Sequence, residues 1–162
     1  MPEFSPETMA PQEEAGEKVV ASNRKARHEY AILDSIEAGL VLTGTEVKSL
    51  RQGNANIAEA FARIARGEVW LEGMHISPYE QGSYANVDPL RIRKLLLHKK
   101  EIRRLLARSG EPGVTLIPLR VYFKKGVAKV QLGICKGKRA YDRRQDIARR
   151  EIERDLKRTY AR

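Results

Sequence analysis

Apolar positions alternate with polar ones most clearly in the last third of the chain. From Val114 to Phe123, Ile117, Leu119, Val121 and Phe123 fall on one side, and from Val127 to Ile134, Ala128, Val130, Leu132 and Ile134 answer them. Period two belongs to a half-buried strand, and Lys124-Lys125-Gly126 between the runs predicts a β-hairpin with a basic tip. Tyr30, Ile32, Leu40, Val41, Leu42 and Val47 fall in further short β-prone stretches. Glu37-Ala38-Gly39 and Gly44 separate them and read as turns. Ile57 to Ile64 fits a helical face through Ile57, Phe61 and Ile64, yet Gly53-Asn54 and Gly67 bracket it at strand length, and strand is the preferred reading. Glu68 to Ile76 alternates Val69 and Leu71, with Gly73 as a bulge and Pro78 as its end.

One segment carries a helical period. Asp88 can accept hydrogen bonds from first-turn amides and Pro89 suits the first helical position, so the spacing predicts a helix starting there. Leu95, Leu96, Ile102, Leu105 and Leu106 form its apolar stripe, and Gly110 with Pro112 stops it. Five to seven short strands, one helix and a closing hairpin predict a mainly β fold with helices: a small closed OB-like Greek-key β-barrel. Residues 1–21, with Pro2, Pro6, Pro11, Gly16 and five acidic side chains, read as a disordered acidic extension. Residues 22–136 read as the barrel, and 137–162 as a flexible basic tail.

Charge changes the picture because it is segregated. The chain carries a net +10, yet Met1 to Lys18 holds five acids and one base, while Arg91 to Arg104 holds seven bases and one acid. Lys136 to Arg162 adds eleven Lys or Arg against five Asp or Glu. Polyphosphate rewards such clustering, since each phosphate neutralised releases counterions. Nucleic acid is therefore the leading partner, ahead of a merely basic surface or an anionic membrane. No run approaches the ~18 apolar residues of a spanning helix, and the acidic, Pro-rich start is unlike a signal peptide, so a soluble cytoplasmic protein is expected. Cys135, the single cysteine, lies in an apolar run and reads as a buried structural thiol. The histidines His28, His75 and His98 lack metal-ligand spacing, and no cofactor is indicated.

Four separated strings carry a family resemblance: NRKARHEY (Asn23 to Tyr30), EAGLVLTGTEVKSLRQG (Glu37 to Gly53), DPLRIRKLLLHKKEI (Asp88 to Ile102) and GKRAYDRR (Gly137 to Arg144). In order and spacing they resemble those of the SmpB family, the SsrA-binding or tmRNA-binding proteins, from about Ala21 onward. The resemblance implies a non-enzymatic RNA-binding protein of trans-translation. Its barrel would grip the tRNA-like domain of tmRNA (SsrA RNA), and its tail would enter the stalled ribosome. Elongation factor Tu and alanyl-tmRNA are implied as companions, and 16S rRNA as the ribosomal contact. Carried over position by position, the resemblance places Asn23, Arg24, Lys25, Arg27, Glu37, Lys48 and Arg51 on the RNA-facing surface, with Arg91, Arg93 and Lys94 at the start of the expected helix.

Physical roles suit these types. Arg forks hold phosphates bidentately, Lys supplies a point charge, and Asn23 can both donate and accept at a base or 2′-hydroxyl. Glu37 repels phosphate, so at an RNA surface it must accept from a base amino group or 2′-hydroxyl, or orient a neighbouring Arg; a turn residue or surface ion pair is the plainer reading. Glu46 and Lys48, two apart in an expected strand, would neutralise each other.

In the tail, Gly137, Lys138 and Arg139 read as a hinge followed by charge. The resemblance assigns the stretch through Tyr141, Asp142, Arg143 and Arg144 to the ribosomal decoding centre. Tyr141 could stack on an exposed base, although an isolated Tyr at a domain edge also serves packing. Ala148, Ile152, Leu156 and Tyr160 recur every four residues on an otherwise charged helix, which is marginal by itself. The expectation is a tail disordered when free and helical in the empty mRNA channel, with Arg149, Arg150, Arg154, Lys157 and Arg158 against rRNA. Its narrow stripe lacks the large apolar residues of a membrane-surface helix. A magnesium nuclease built on Glu37, Glu46 and Asp88 is the enzymatic alternative, weakened by the lack of paired carboxylates or His motifs.

Overall fold

A computed structural model describes residues 16–138 and 149–158. In chain order it holds β1 (Glu17–Ser22), α1 (Arg24–Glu29), β2 (Tyr30–Leu40), α2 (Gly44–Arg51), β3 (Ala55–Asn56), β4 (Phe61–Ala65), β5 (Glu68–Glu72), β6 (His75–Ile76), β7 (Arg93–Leu96), α3 (Lys99–Ser109), β8 (Val114–Lys124) and β9 (Val127–Gly137). A helix, α4, occupies 149–158.

Antiparallel pairing runs β8–β4–β5–β7–β2–β9 and returns to β8, so the strands form a ring with β1 laid outside against β8. Two joins are short. β4 meets β8 only at Ala62↔Leu116, and β2 meets β7 at Gly39↔Leu96 and Leu40↔Leu95. Ala38, Leu71, Leu95, Val121, Val130 and Leu132 fill the interior, with α3 sending in Leu105. Each such fully buried Leu or Val side chain contributes about 1.5–3 kcal/mol relative to exposure.

The expected hairpin forms, with Phe123↔Ala128 and Val121↔Val130 facing inward. Its single apolar face does not hold. The register shifts between Pro118 and Arg120, so Leu119 is an extra residue. A bulge suits Pro118, which has no amide proton to give to the ladder. Beyond the shift, Ile117 and Leu119 turn outward and pack with Ala26, Cys135 and Tyr30 in a second small core beneath α1.

Several sequence expectations are corrected. Residues 17–21, assigned to the extension, belong to β1, because β4 covers β8 only near Leu116 and Val121–Lys124 would otherwise be an open edge. The rest of the extension, 1–15, lies outside the described residues. Glu37-Ala38-Gly39 is no turn but mid-strand β2; a Cβ on Gly39 would come within 3.3 Å of Leu96 Cβ, so this glycine admits a close strand neighbour. GTEVKSLR is helix α2, not strand, and Glu46 with Lys48 is not a same-face strand pair. Thr43 Oγ1 accepts from the Glu46 amide at 3.4 Å and Glu46 Oε1 accepts from the Thr43 amide at 2.9 Å, a capping box that outweighs the β-branched residues.

Asp88-Pro89 starts a tight turn rather than a helix: Asp88 Oδ1 accepts from the Leu90 amide at 2.9 Å and its carbonyl from the Arg91 amide at 3.0 Å. Arg93 to Leu96 then runs as strand, and α3 begins only at Lys99, where Glu101 accepts from the His98 amide at 3.1 Å. Ile57 to Ile64 is split between a turn and β4. Gly73, at φ +78°, ends β5 where a Cβ would stand 2.7 Å from the Glu59 carbonyl oxygen, and the chain leaves for a separate two-stranded sheet, β3 with β6. Gly137 is not a hinge. It closes β9 in register with Tyr30.

Candidate nucleic-acid interface

Asn23 caps α1 from inside. Its Oδ1 accepts from the Ala26 amide at 3.0 Å, and its Nδ2 donates to the Ile57 and Pro118 carbonyls, both at 3.1 Å. At 1% exposure it ties α1 to two segments, so the structure places it beneath the surface that carries its neighbours. Its neighbours differ. Arg24 and Lys25 are exposed and Arg27 is half-buried. Lys25 Nζ donates to Glu59 Oε1 at 2.6 Å, and that hydrogen bond holds its ammonium above the ordinary value.

Arg93 is likewise structural. With no exposed surface, its Nε and Nη2 both lie 2.6 Å from Glu46 Oε2, and Nη1 donates to the Met74 carbonyl at 2.7 Å. Arg91 Nη2 donates to Glu46 Oε1 at 2.6 Å from a partly exposed position. Burial raises the Glu46 carboxyl, but the hydrogen bonds from Arg91, the Thr43 amide and Arg93 outweigh it and hold it below the usual carboxylate range. Burial lowers the Arg93 guanidinium, and Glu46 opposes that. Glu46 is the functional fastener that sequence reasoning missed, although Thr43 followed three residues later by Glu46 is a legible capping box. Lys94, pointing outward on β7, pairs with Glu68 at 3.1 Å.

α2 carries two exposed cations, Lys48 and Arg51. Lys48 stands over the Tyr79 ring at 5.6 Å and Arg51 over the Phe123 ring at 4.6 Å, so aromatic faces position both while leaving them exposed. Phe123 precedes Lys124, so Arg51 borders the end of β8.

Glu37 sits in a polar basin on the outer face of β2, β9 and β8. Register puts Glu37 beside Gln131 and Gln131 beside Arg120. Arg120 donates through Nε to Gln131 Oε1 at 2.8 Å and through Nη1 to Glu17 Oε2 at 3.1 Å, with its guanidinium 4.4 Å from the Tyr122 ring centre. Lys124 Nζ lies 3.6 Å from Glu37 and 3.9 Å from Glu17. Burial, then the Glu37 carboxylate, pushes the Tyr122 phenol up. Arg120 and Tyr122 were not picked out from sequence, and Lys124 only as part of the hairpin's basic tip, though polar residues two apart in a strand announce a shared outer face.

Of the tail positions, Gly137 and Lys138 are described, Gly137 ending β9 and Lys138 following it. Arg139, Tyr141, Asp142, Arg143 and Arg144 lie outside the described residues. Arg149, Arg150, Arg154, Lys157 and Arg158 are exposed on α4, and so are Ile152 at 60% and Leu156 at 50%. Among the described residues no three His, Cys, Asp or Glu gather as a metal site, and no helix is long and apolar enough to cross a membrane. Cys135 is buried as expected, and burial pushes its thiol up to about 11.

Residues 20–162 match the family model described as SmpB protein. The chain is 63% identical over 142 residues to the SsrA-binding protein of Desulforudis audaxviator, covering 88% of this chain and 93% of that one. It is 57% identical over 149 residues to the SsrA-binding protein of Salinispora arenicola, covering 92% and 94%. A solved structure described as "tmRNA-SmpB: a journey to the center of the bacterial ribosome" contains a chain 55% identical, with TM-score 0.64, over 76% of this chain and 85% of that one.

Proposed function

This chain belongs to the SmpB family, and from that premise we propose that it binds the tRNA-like domain of tmRNA and delivers it to stalled ribosomes for trans-translation. The family match across residues 20–162 carries the reading. The geometry supports it by leaving Arg24, Lys25, Lys48 and Arg51 exposed, with Arg27, Arg91 and Lys94 partly so, on a rigid ring. Cations held outward from a packed scaffold suit a folded polyanion, whose phosphates they neutralise. Arg93 and Asn23 build that scaffold rather than touch the RNA. Glu37 reads a base or a 2′-hydroxyl.

The tail from Lys138 onward acts at the decoding centre through Arg139, Tyr141, Asp142, Arg143 and Arg144. Residues Arg149, Arg150, Arg154, Lys157 and Arg158 then follow the empty mRNA channel along 16S rRNA. α4 carries five cations and buries none of its side chains against the ring, which suits a helix that packs only on an external partner. Elongation factor Tu and alanyl-tmRNA complete the delivery complex in the cytoplasm. The protein works by binding rather than by catalysis: Glu46, the carboxylate a metal site would need, is already held by two guanidiniums.

Competition between tmRNA and an ordinary tRNA at two salt concentrations tests the reading. Preference for tmRNA that survives the higher salt is expected, because shape and base contacts outlast counterion release. Equal competition by the tRNA at both salts would reduce the protein to a general RNA binder.

A further inference from the structure

The basin around Glu37 encloses about 190 Å³ and is lined by Glu17, Glu37, Arg120, Tyr122, Lys124 and Gln131 among others. Its two acids and two bases cancel, so a phosphate gains little there, unlike at α1 or α2. The floor is prearranged: Arg120 is held by Glu17 and Gln131, and Gln131 Nε2 donates to Ser35 Oγ at 3.2 Å. Above that floor, Glu37 and Lys124 stand at the rim, each roughly two-fifths exposed, with 3.6 Å between Lys124 Nζ and Glu37 Oε2. Lys124 is thus beyond hydrogen-bonding length of both carboxylates.

The Tyr122 hydroxyl already bears on the Glu37 carboxylate, but each carboxylate oxygen has two acceptor sites, so beside the Lys124 ammonium the rim still presents two acceptors and then a donor. Guanine presents the complement on its Watson–Crick edge: the N2 amino group and N1–H donate, and O6 accepts. Adenine offers an acceptor at N1, cytosine acceptors at N3 and O2, and uracil a single donor between two acceptors, so each would set a lone pair against Glu37 or leave it half-served. We propose that Glu37 and Lys124 read the Watson–Crick edge of one unpaired guanine in the bound RNA, Glu37 accepting from N1–H and N2 and Lys124 donating to O6. This rests on the tmRNA reading above and gives base identity to a contact that charge alone cannot explain. It also makes Lys124 a specificity residue.

The test uses the full-length protein and a synthetic tRNA-like domain in which unpaired guanines are replaced singly by inosine, which keeps O6 and N1–H and lacks the N2 amino group. At one position, inosine is expected to weaken binding about tenfold, the worth of one hydrogen bond to a charged group. In Glu37→Gln that penalty should vanish. In Lys124→Met the inosine penalty should persist, while replacing the same guanine by 2-aminopurine, which lacks O6 and also turns N1 into an acceptor, should cost less than in the unaltered protein, the N1 share of the loss being common to both. If Glu37→Gln fails to fold by circular dichroism, the inosine scan on the unaltered protein and the Lys124→Met comparison decide the matter. Tight binding of the tRNA-like RNA with no inosine-sensitive guanine, with an inosine penalty that Glu37→Gln retains, or with a 2-aminopurine penalty that Lys124→Met leaves unchanged, overturns the guanine assignment and leaves the tmRNA reading standing. Failure of the unaltered protein to prefer that RNA over tRNA overturns both.

Discussion

Arg93 of β7 and Glu46 of α2 meet at 2.6 Å with almost no solvent around either, and through them the helix expected to be a strand is fastened to the strand expected to be a helix. Removing Arg93 leaves a buried carboxylate whose Oε2 has lost its guanidinium, with only Arg91 and the Thr43 amide on Oε1 to hold the charge. Arg93→Met should therefore cost about 3–5 kcal/mol of unfolding free energy, measured by urea denaturation. Glu46→Leu combined with Arg93→Met should recover much of that loss, since no buried charge remains and Arg91 is partly exposed. A double variant less stable than Arg93→Met would show that the pair contributes more than mutual neutralisation.

The same pair makes stability depend on acid. In the folded protein the Glu46 carboxyl lies below its ordinary 4.5, so the unfolded chain takes up a proton that the native state refuses. The stabilisation is complete above that ordinary value and disappears as pH falls through the depressed native one. Urea midpoints should drop across this acid window, and the drop should be shallower in Glu46→Gln. Parallel curves for the two proteins would remove Glu46 from the acid response.

The contrast between Glu46 and the hairpin shows what was legible. β8 and β9 were readable because their inward positions alternate, Val121 and Phe123 against Val130 and Ala128; the bulge at Leu119 and the second buried face of β8 were not, because a one-residue register change leaves no mark in hydropathy. β7 was hidden because Leu95 and Leu96 join the apolar spacing of α3, and only burial of Arg93 by Glu46, far away in sequence, decides for strand. At the interface, exposed cations such as Lys48 and Arg51 could be named from charge and family motifs. Asn23 and Arg93 share those motifs yet serve the scaffold, and a motif does not distinguish a residue that touches a ligand from one that holds the residues that do.

Asn23 and Arg51 should therefore part company. Asn23→Ala removes a helix cap and leaves the Ile57 and Pro118 carbonyls short of a donor, so a loss of about 1–3 kcal/mol in stability is expected. RNA affinity of the protein that remains folded should be nearly unchanged. Arg51→Ala should leave stability nearly intact and reduce the slope of log affinity against log salt by about one. An Asn23→Ala protein that is fully stable but weak for RNA would return Asn23 to the contact surface.

Cys135 packs with Ala26, Ile117 and Leu119 under α1, and its thiol is raised to about 11. The thiolate is the reactive species, so native protein at neutral pH should resist a thiol-specific reagent until urea opens the domain. Labelling should follow the unfolding transition. Rapid modification in the native state would mean that α1 lifts from β8 on its own.

The tail provides the sharpest division of labour. α4 is helical across 149–158, yet each of its residues is exposed and its stripe of Ile152 and Leu156 meets no core. A helix this short without a packed face is marginal in water, so its amides should exchange at nearly unprotected rates in free protein and slow on ribosome binding. Deleting everything after Arg144 should then leave affinity for tmRNA close to that of the full chain, because the ring and its cations are untouched, while abolishing tagging in a stalled-ribosome assay. Protected amides in the free tail, or loss of tmRNA affinity in proportion to loss of tagging, would mean that the ring and the tail bind as one surface.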